Sequence, residues 1–185
     1  MDKDKFNRAM ELNNKIEEYK SHKTAFESSN IKYGGKLIFT YNSMHNNVPL
    51  KKEIIGKKVT FFDIHSTKAK QFGFMMELDQ ERKLTCCGDE PYNEENDKYA
   101  LKSDYLLHEA FCLYDQADIF HPYEKHHSTV KDACQLAEKL KVKNVVLYHS
   151  EDQNIENRKE LYTKEGKAYF SGKIYVPNDL ETIEL

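Results

Sequence analysis

The chain has 185 residues, 39% hydrophobic, 12% aromatic and 32% charged, with only 7 Gly and 4 Pro. That is the size of a single domain, and it excludes collagen, low-complexity linkers and a fully disordered chain. Lys and Arg total 28 against 31 Asp and Glu, a net charge of -3, so bulk charge gives no reason to expect nucleic acid.

The N-terminus, Met1-Asp2-Lys3-Asp4-Lys5, is a charged mixture with no apolar run behind it, which is not the pattern of a secretory signal. Phe6, Ala9, Met10, Leu12, Ile16 and Tyr19 fall broadly on one stripe and predict a helix over residues 4–20. A polar segment follows and ends in Gly34-Gly35, a loop or boundary. Residues 1–50 are therefore expected to form an N-terminal helix and connecting segment, and residues 51–185 the main body.

Short β-like runs come next, at Lys36–Thr40, Lys58–His65, Gln71–Leu78 and Lys83–Cys87. Tyr105–Ala110 reads as a further strand. Ser128-Thr129 opens a helix to about Leu140, with Ser128 as the expected N-cap and Val130, Ala133, Cys134, Ala137 and Leu140 on one face. Asn144–Tyr148 is a continuous apolar strand of the doubly covered kind. A helix over about Ile155–Phe170 follows, then a hairpin of Lys173–Val176 with Glu181–Leu185 around Pro177. Strands first and helix–strand units later predict a layered α/β domain. The four cysteines, Cys86, Cys87, Cys112 and Cys134, lack zinc or redox spacing. Without a signal they read as reduced thiols of a cytoplasmic protein.

Three polar residues share one placement: His65, Asp89 and His149 each end or follow an apolar strand. Strands of one sheet present such residues along a common edge, and His with Asp suits zinc, manganese or iron. Taken singly, each would more readily cap backbone groups; the coincidence of three favours a metal site. His127 precedes the helix at Ser128, where a His would meet a phosphate or protonate a leaving group, or else be a surface loop residue beside His121 and His126. His108-Glu109 is not a zincin motif, because Cys112 stands where the second His belongs; His108 reads as a hydrogen-bonded core residue.

In order and spacing, Tyr105-Leu-Leu-His-Glu-Ala-Phe111, Lys125-His-His-Ser-Thr129 and Val145-Val-Leu-Tyr-His149 resemble the second half of a metallo-β-lactamase-fold hydrolase of the ribonuclease Z-like branch. Gly88-Asp89-Glu90 and Ile64-His65 followed by Phe72-Gly73-Phe74 extend the resemblance upstream, to about residues 55–185 in all. It implies a partial αββα sandwich with an added N-terminal helix. It also implies metal-dependent ester or phosphodiester hydrolysis by a metal-bridging hydroxide, with Zn, or Mn or Fe, as cofactor. His65 and His149 would each hold one metal, Asp89 would bridge them, and His127 would be the catalytic histidine at the scissile phosphate.

The branch's His-x-His-x-Asp-His motif is absent from the 185 residues, and Glu90 replaces the usual Thr. The expectation is therefore a truncated or split hydrolase, with a catalytically inactive binding or regulatory module as the alternative. Only 24 positions (89 − 65) separate His65 from Asp89, too few for the arm that grips tRNA, so a tRNA partner is not expected. The substrate is expected to be a small molecule or another phosphodiester. An uncovered sheet edge predicts a homo-oligomer, and no membrane association is expected.

Overall fold

The computed structural model describes residues 49–54, 56–67 and 70–185; the helix expected over 4–20 and the strand expected at Lys36–Thr40 lie outside them. Seven strands form one sheet in sequential order: β1 (Leu50–Ile54), β2 (Lys57–Asp63), β3 (Phe72–Glu77), β4 (Lys83–Cys86), β5 (Tyr105–Glu109), β6 (Asn144–Tyr148) and β7 (Lys173–Tyr175). The first four pair antiparallel and β4 to β7 pair parallel. Each parallel connection carries helix: α1 (Asp97–Ala100) between β4 and β5, α2 (Ala117–Phe120) and α3 (Val130–Lys139) between β5 and β6, and α4 (Arg158–Gly166) between β6 and β7. Parallel strands need such crossovers, because a tight turn cannot bring the chain back to the same end.

Alternation sorts the strands into two faces. The pairing Thr85↔Leu106↔Val145↔Ile174 puts these four side chains on one face. There Leu106, Val145 and Leu147 join Val130, Ala133, Cys134 and Ala137 of α3 and Tyr162 of α4 in the main core. On the same face of the antiparallel half, Phe62 stacks on Tyr99 of α1 with centroids 4.4 Å apart. The other face of β1–β3 carries Leu50, Ile54, Val59, Phe61, Phe74 and Met76 as a separate apolar cluster.

Four details correct the sequence reading. β1 is a strand that LKKEI scarcely signals, since Leu50 and Ile54 are its only apolar residues. The N-cap of α3 is Thr129, not Ser128: Thr129 and Asp132 form a reciprocal capping box, while the Ser128 N–H is taken by Glu109. The helix expected over 155–170 is shorter, because separate turns such as Ile155 N–H to Asp152 O precede it and Phe170 N–H to Gly166 O follows. The C-terminal hairpin does not form: β7 pairs with β6, Pro177 has no N–H to continue a ladder, and residues 178–181 turn through Glu181 N–H to Asn178 O. No helix among the described residues is long and apolar enough to cross a membrane.

Candidate active site

The parallel strands deliver their polar residues at their carboxyl ends, where open α/β sheets place functional groups. Asp89 follows β4 through Gly88, whose φ of 82° strains any side chain and where an added Cβ would lie 2.7 Å from Ile64 Cδ1. Tyr148 of β6 donates its hydroxyl to the Gly88 carbonyl and so ties this turn across β5 to the next strand but one. His149 directly ends β6 in the left-handed region, φ 52°, a conformation that non-glycine residues adopt at a cost.

Asp89 Oδ1 and His149 Nε2 lie 3.2 Å apart. That Oδ1 is buried and makes no hydrogen bond. The ring of His127 sits 4.8 Å from that of His149, and the donor atoms of Asp89, His127 and His149 all fall within 4.8 Å of one another. Metal–donor bonds of about 2.1 Å at a tetrahedral centre put neighbouring ligand atoms roughly 3.4 Å apart. The Asp89–His149 pair meets that spacing without rearrangement, and an orphaned carboxylate oxygen is what a cation would satisfy. Asp89, His127 and His149 thus cluster as a possible His/Asp metal site, in which the Asp89–His149 pair has the ligand spacing and His127 stands beside it.

His127 is fixed from three sides. Its N–H donates to Pro122 O, its ring stacks on Phe111 at 5.1 Å and 18°, and its Nδ1 lies 3.7 Å from Glu109 Oε2. Glu109 ends β5 with no solvent exposure, and its Oε1 accepts the Ser128 N–H at 2.6 Å. Burial pushes its carboxyl up to about 7; the hydrogen bonds from Ser128 oppose this only in part, and the charges of Asp89 and Asp132 add to it. Sequence reasoning misses Glu109 because His108-Glu109 reads first as a zincin fragment. Neighbours in a strand point to opposite faces, so only the pairing with Ser128, 19 residues on, gives Glu109 its place.

His65 is not in this cluster. It follows β2 at φ 60°, its N–H donates to Asp63 Oδ1 at 2.8 Å, and its Nε2 lies 3.3 Å from Glu95 Oε2. Burial pushes the Asp63 carboxyl up, but the Lys70 ammonium and the His65 N–H outweigh it and hold the group below its ordinary value. Glu90, buried where the branch has Thr, fastens the loop after His65 by accepting from Ser66 Oγ at 2.5 Å and Thr67 N–H at 3.3 Å. His108 is 1% exposed and its Nδ1 bonds the Glu109 carbonyl, as expected of a core histidine.

No protein-family model matches the chain. It is 29% identical over 137 residues to a ribonuclease Z of Thermococcus sibiricus, covering 73% of this chain and 39% of that protein. To a ribonuclease Z of Shouchella clausii it is 31% identical over 112 residues, 60% of this chain and 35% of the other. The chain therefore spans between a third and two fifths of the length of these curated relatives. Among solved structures, the metallo-β-lactamase fold protein YhfI of Bacillus subtilis superposes with a TM-score of 0.56 at 18% identity, over 71% of this chain and 50% of that one. Zn(2+)-bound PqqB of Methylobacterium extorquens superposes with a TM-score of 0.57 at 15% identity, over 75% and 54%. The seven-stranded mixed sheet of the described residues has the metallo-β-lactamase fold of those structures, and in sequence the chain is similar to ribonucleases Z.

Proposed function

We propose that the chain carries the proton-donating half of a metal-dependent phosphodiesterase centre, together with part of its metal site. The observation that supports this best is the line Glu109–His127–His149–Asp89: a buried acid behind a histidine, which in turn faces a carboxylate–histidine pair. Asp89 and His149 would hold the cation, and His65 would join the ligands only after leaving Glu95. Zinc, the ion bound by PqqB, suits these donors, and manganese or iron would also be accepted. Such a cation supplies Lewis acidity and lowers the pKa of bound water.

His127 is placed for the other half of the reaction. Protonated Glu109 would direct its hydrogen to the His127 ring, hold that ring's orientation, and let the outward nitrogen give a proton to a departing oxygen. Phe111 stacks on one side of the ring and limits access of water there. The phosphodiester class is inferred from the ribonuclease Z kinship.

A second reading, a binding or regulatory module, is favoured by one sequence fact: His-x-His-x-Asp-His does not occur in the 185 residues. Asp89 and His149 alone fall short of the three protein ligands usual for catalytic zinc. The two readings separate on metal analysis combined with hydrolysis of bis(p-nitrophenyl) phosphate. In a working centre, D89A and H149A lose both metal and turnover. H127A keeps its metal and loses about 10²–10³ in rate, the share of general acid catalysis. Purified protein without metal, and without turnover when zinc or manganese is added, would sink the enzyme reading.

A further inference from the structure

The 3.2 Å spacing of Asp89 Oδ1 and His149 Nε2 needs something to hold it, and the carboxylate does not hold itself. Asp89 Oδ1 is buried and makes no hydrogen bond. Its place is set by the backbone that carries it, which passes through Gly88 at a φ of 82°. Glycine has the widest choice of backbone angles, so the Gly88–Asp89 peptide is the soft joint of the turn. A ligand pair built on that joint requires an outside contact to fix it.

Tyr148 supplies the contact. Its side chain lies on the sheet face of Cys86, Leu107 and Val146, away from α3 and α4, and crosses β5 to reach the Gly88 carbonyl. A carbonyl only accepts, so the phenol hydrogen goes to Gly88 O. The Cys86 thiol, 3.7 Å from the phenol oxygen, is left to donate to it. This chain of bonds ends on the peptide that carries Asp89. The Tyr148 main chain is fixed as well: its carbonyl accepts the Ala110 N–H at 2.9 Å, and it pairs with Glu109 on β5. His149 is the next residue. One residue therefore reaches both members of the pair, its backbone leading into His149 and its hydroxyl holding the peptide before Asp89.

We propose that Tyr148 is the positioning residue of the Asp89–His149 pair: its hydroxyl, through the Gly88 carbonyl, sets the carboxylate at ligand spacing from the imidazole. It acts through Gly88 and has no part in the chemistry itself. The role deepens the reading of this pair as metal ligands and rests on it for its consequence, cation affinity. Groups that orient metal ligands from behind commonly govern affinity by about 10–100-fold.

The test uses the whole chain, with Y148F set against Y162F. Tyr162 is 1% exposed and donates its hydroxyl to the Phe111 carbonyl at 3.1 Å. Y162F therefore loses the same kind of bond, a phenol on a loop carbonyl, without touching Asp89 or His149. Cobalt(II) binding is titrated by its visible absorption, and Y148F is expected to bind about tenfold more weakly while Y162F equals wild type. In metal-free protein, NMR follows the change that D89N causes in the His149 ring nitrogen shifts, which reports the contact between the two side chains. That response is expected in wild type and Y162F and lost in Y148F. A full response in Y148F, no response in wild type, cobalt affinity unchanged in Y148F, or an equal cobalt loss in Y162F overturns the proposal. Wild-type protein that takes up no cobalt removes the metal-site reading instead, and the D89N response then decides the positioning role alone.

Discussion

Replacing Glu109 by Gln should raise stability at alkaline pH, although it removes a carboxylate from the candidate active site. Glu109 is wholly buried and its carboxyl is pushed from 4.5 to about 7, chiefly by burial. A pKa raised by folding means that the folded state prefers the protonated form. The associated stability is fully present below about pH 4.5 and is lost as pH rises through about 7. A rise of roughly 2.5 units at 1.36 kcal/mol each sets the loss at about 3 kcal/mol once the group is ionised. Gln keeps the Oε1 that accepts the Ser128 N–H and does not ionise, so E109Q escapes this loss. Urea unfolding followed by circular dichroism should show the two proteins converging near pH 5, with E109Q ahead by about 3 kcal/mol above about pH 8. His127 at 3.7 Å is the competing influence. If His127 held a proton and ion-paired with Glu109, wild-type stability would be flat across this range. E109Q would then be the weaker protein at every pH, and that result would refute the assignment of a neutral buried acid.

Two further substitutions test how the fold presents the site. Thr129→Ala removes a buried capping box, whose partner Asp132 also receives the Tyr123 hydroxyl. It should cost about 1–2 kcal/mol in the same unfolding assay, with a loss under half of that showing the cap to be redundant. Gly88→Ala must place a Cβ 2.7 Å from Ile64 Cδ1 at a φ of 82°. About 1–3 kcal/mol of stability should go, together with metal affinity, because Asp89 is the next residue; unchanged zinc binding by calorimetry would show that the turn does not set the carboxylate.

The sequence discloses some parts of this arrangement and conceals others for identifiable reasons. β6 is legible because four consecutive apolar residues ahead of His149 leave little else for them to do, and α3 because its core-facing residues recur at helical spacing behind Ser-Thr. Strand-end placement also brings out Asp89 and His149, which the fold sets 3.2 Å apart. β1 is hidden, since only two of its five residues are apolar and it becomes a strand by pairing with β2. The cap assignment slips by one residue because Ser128 and Thr129 are equally good caps locally. What decides between them is a long-range bond from Ser128 N–H to Glu109. Glu109 itself lacks a sequence signal, as its meaning arises from burial and from a neighbour 19 positions away.

The division of the sheet also explains why the two strand-end histidines have different surroundings. His65 and His149 use the same left-handed backbone to turn away from the strands they follow. His149 ends a strand flanked by parallel neighbours, and the carboxyl ends of β4, β5 and β6 lie side by side in register. One polar residue from each end therefore converges: Asp89 just beyond β4, Glu109 on β5 and His149 just beyond β6. The bridge Cys112↔Thr129 and the bond from Phe111 N–H to Ser128 O then bring His127 alongside. β2 instead pairs antiparallel with both neighbours. The adjacent chain ends at this edge are then the start of β3 and the loop after β4, and His65 meets Glu95 and the Glu90-anchored loop rather than the cluster. The Glu109–His127 pair thus depends on the parallel half alone, whereas the proposed second metal ligand His65 would have to be drawn across from the antiparallel half.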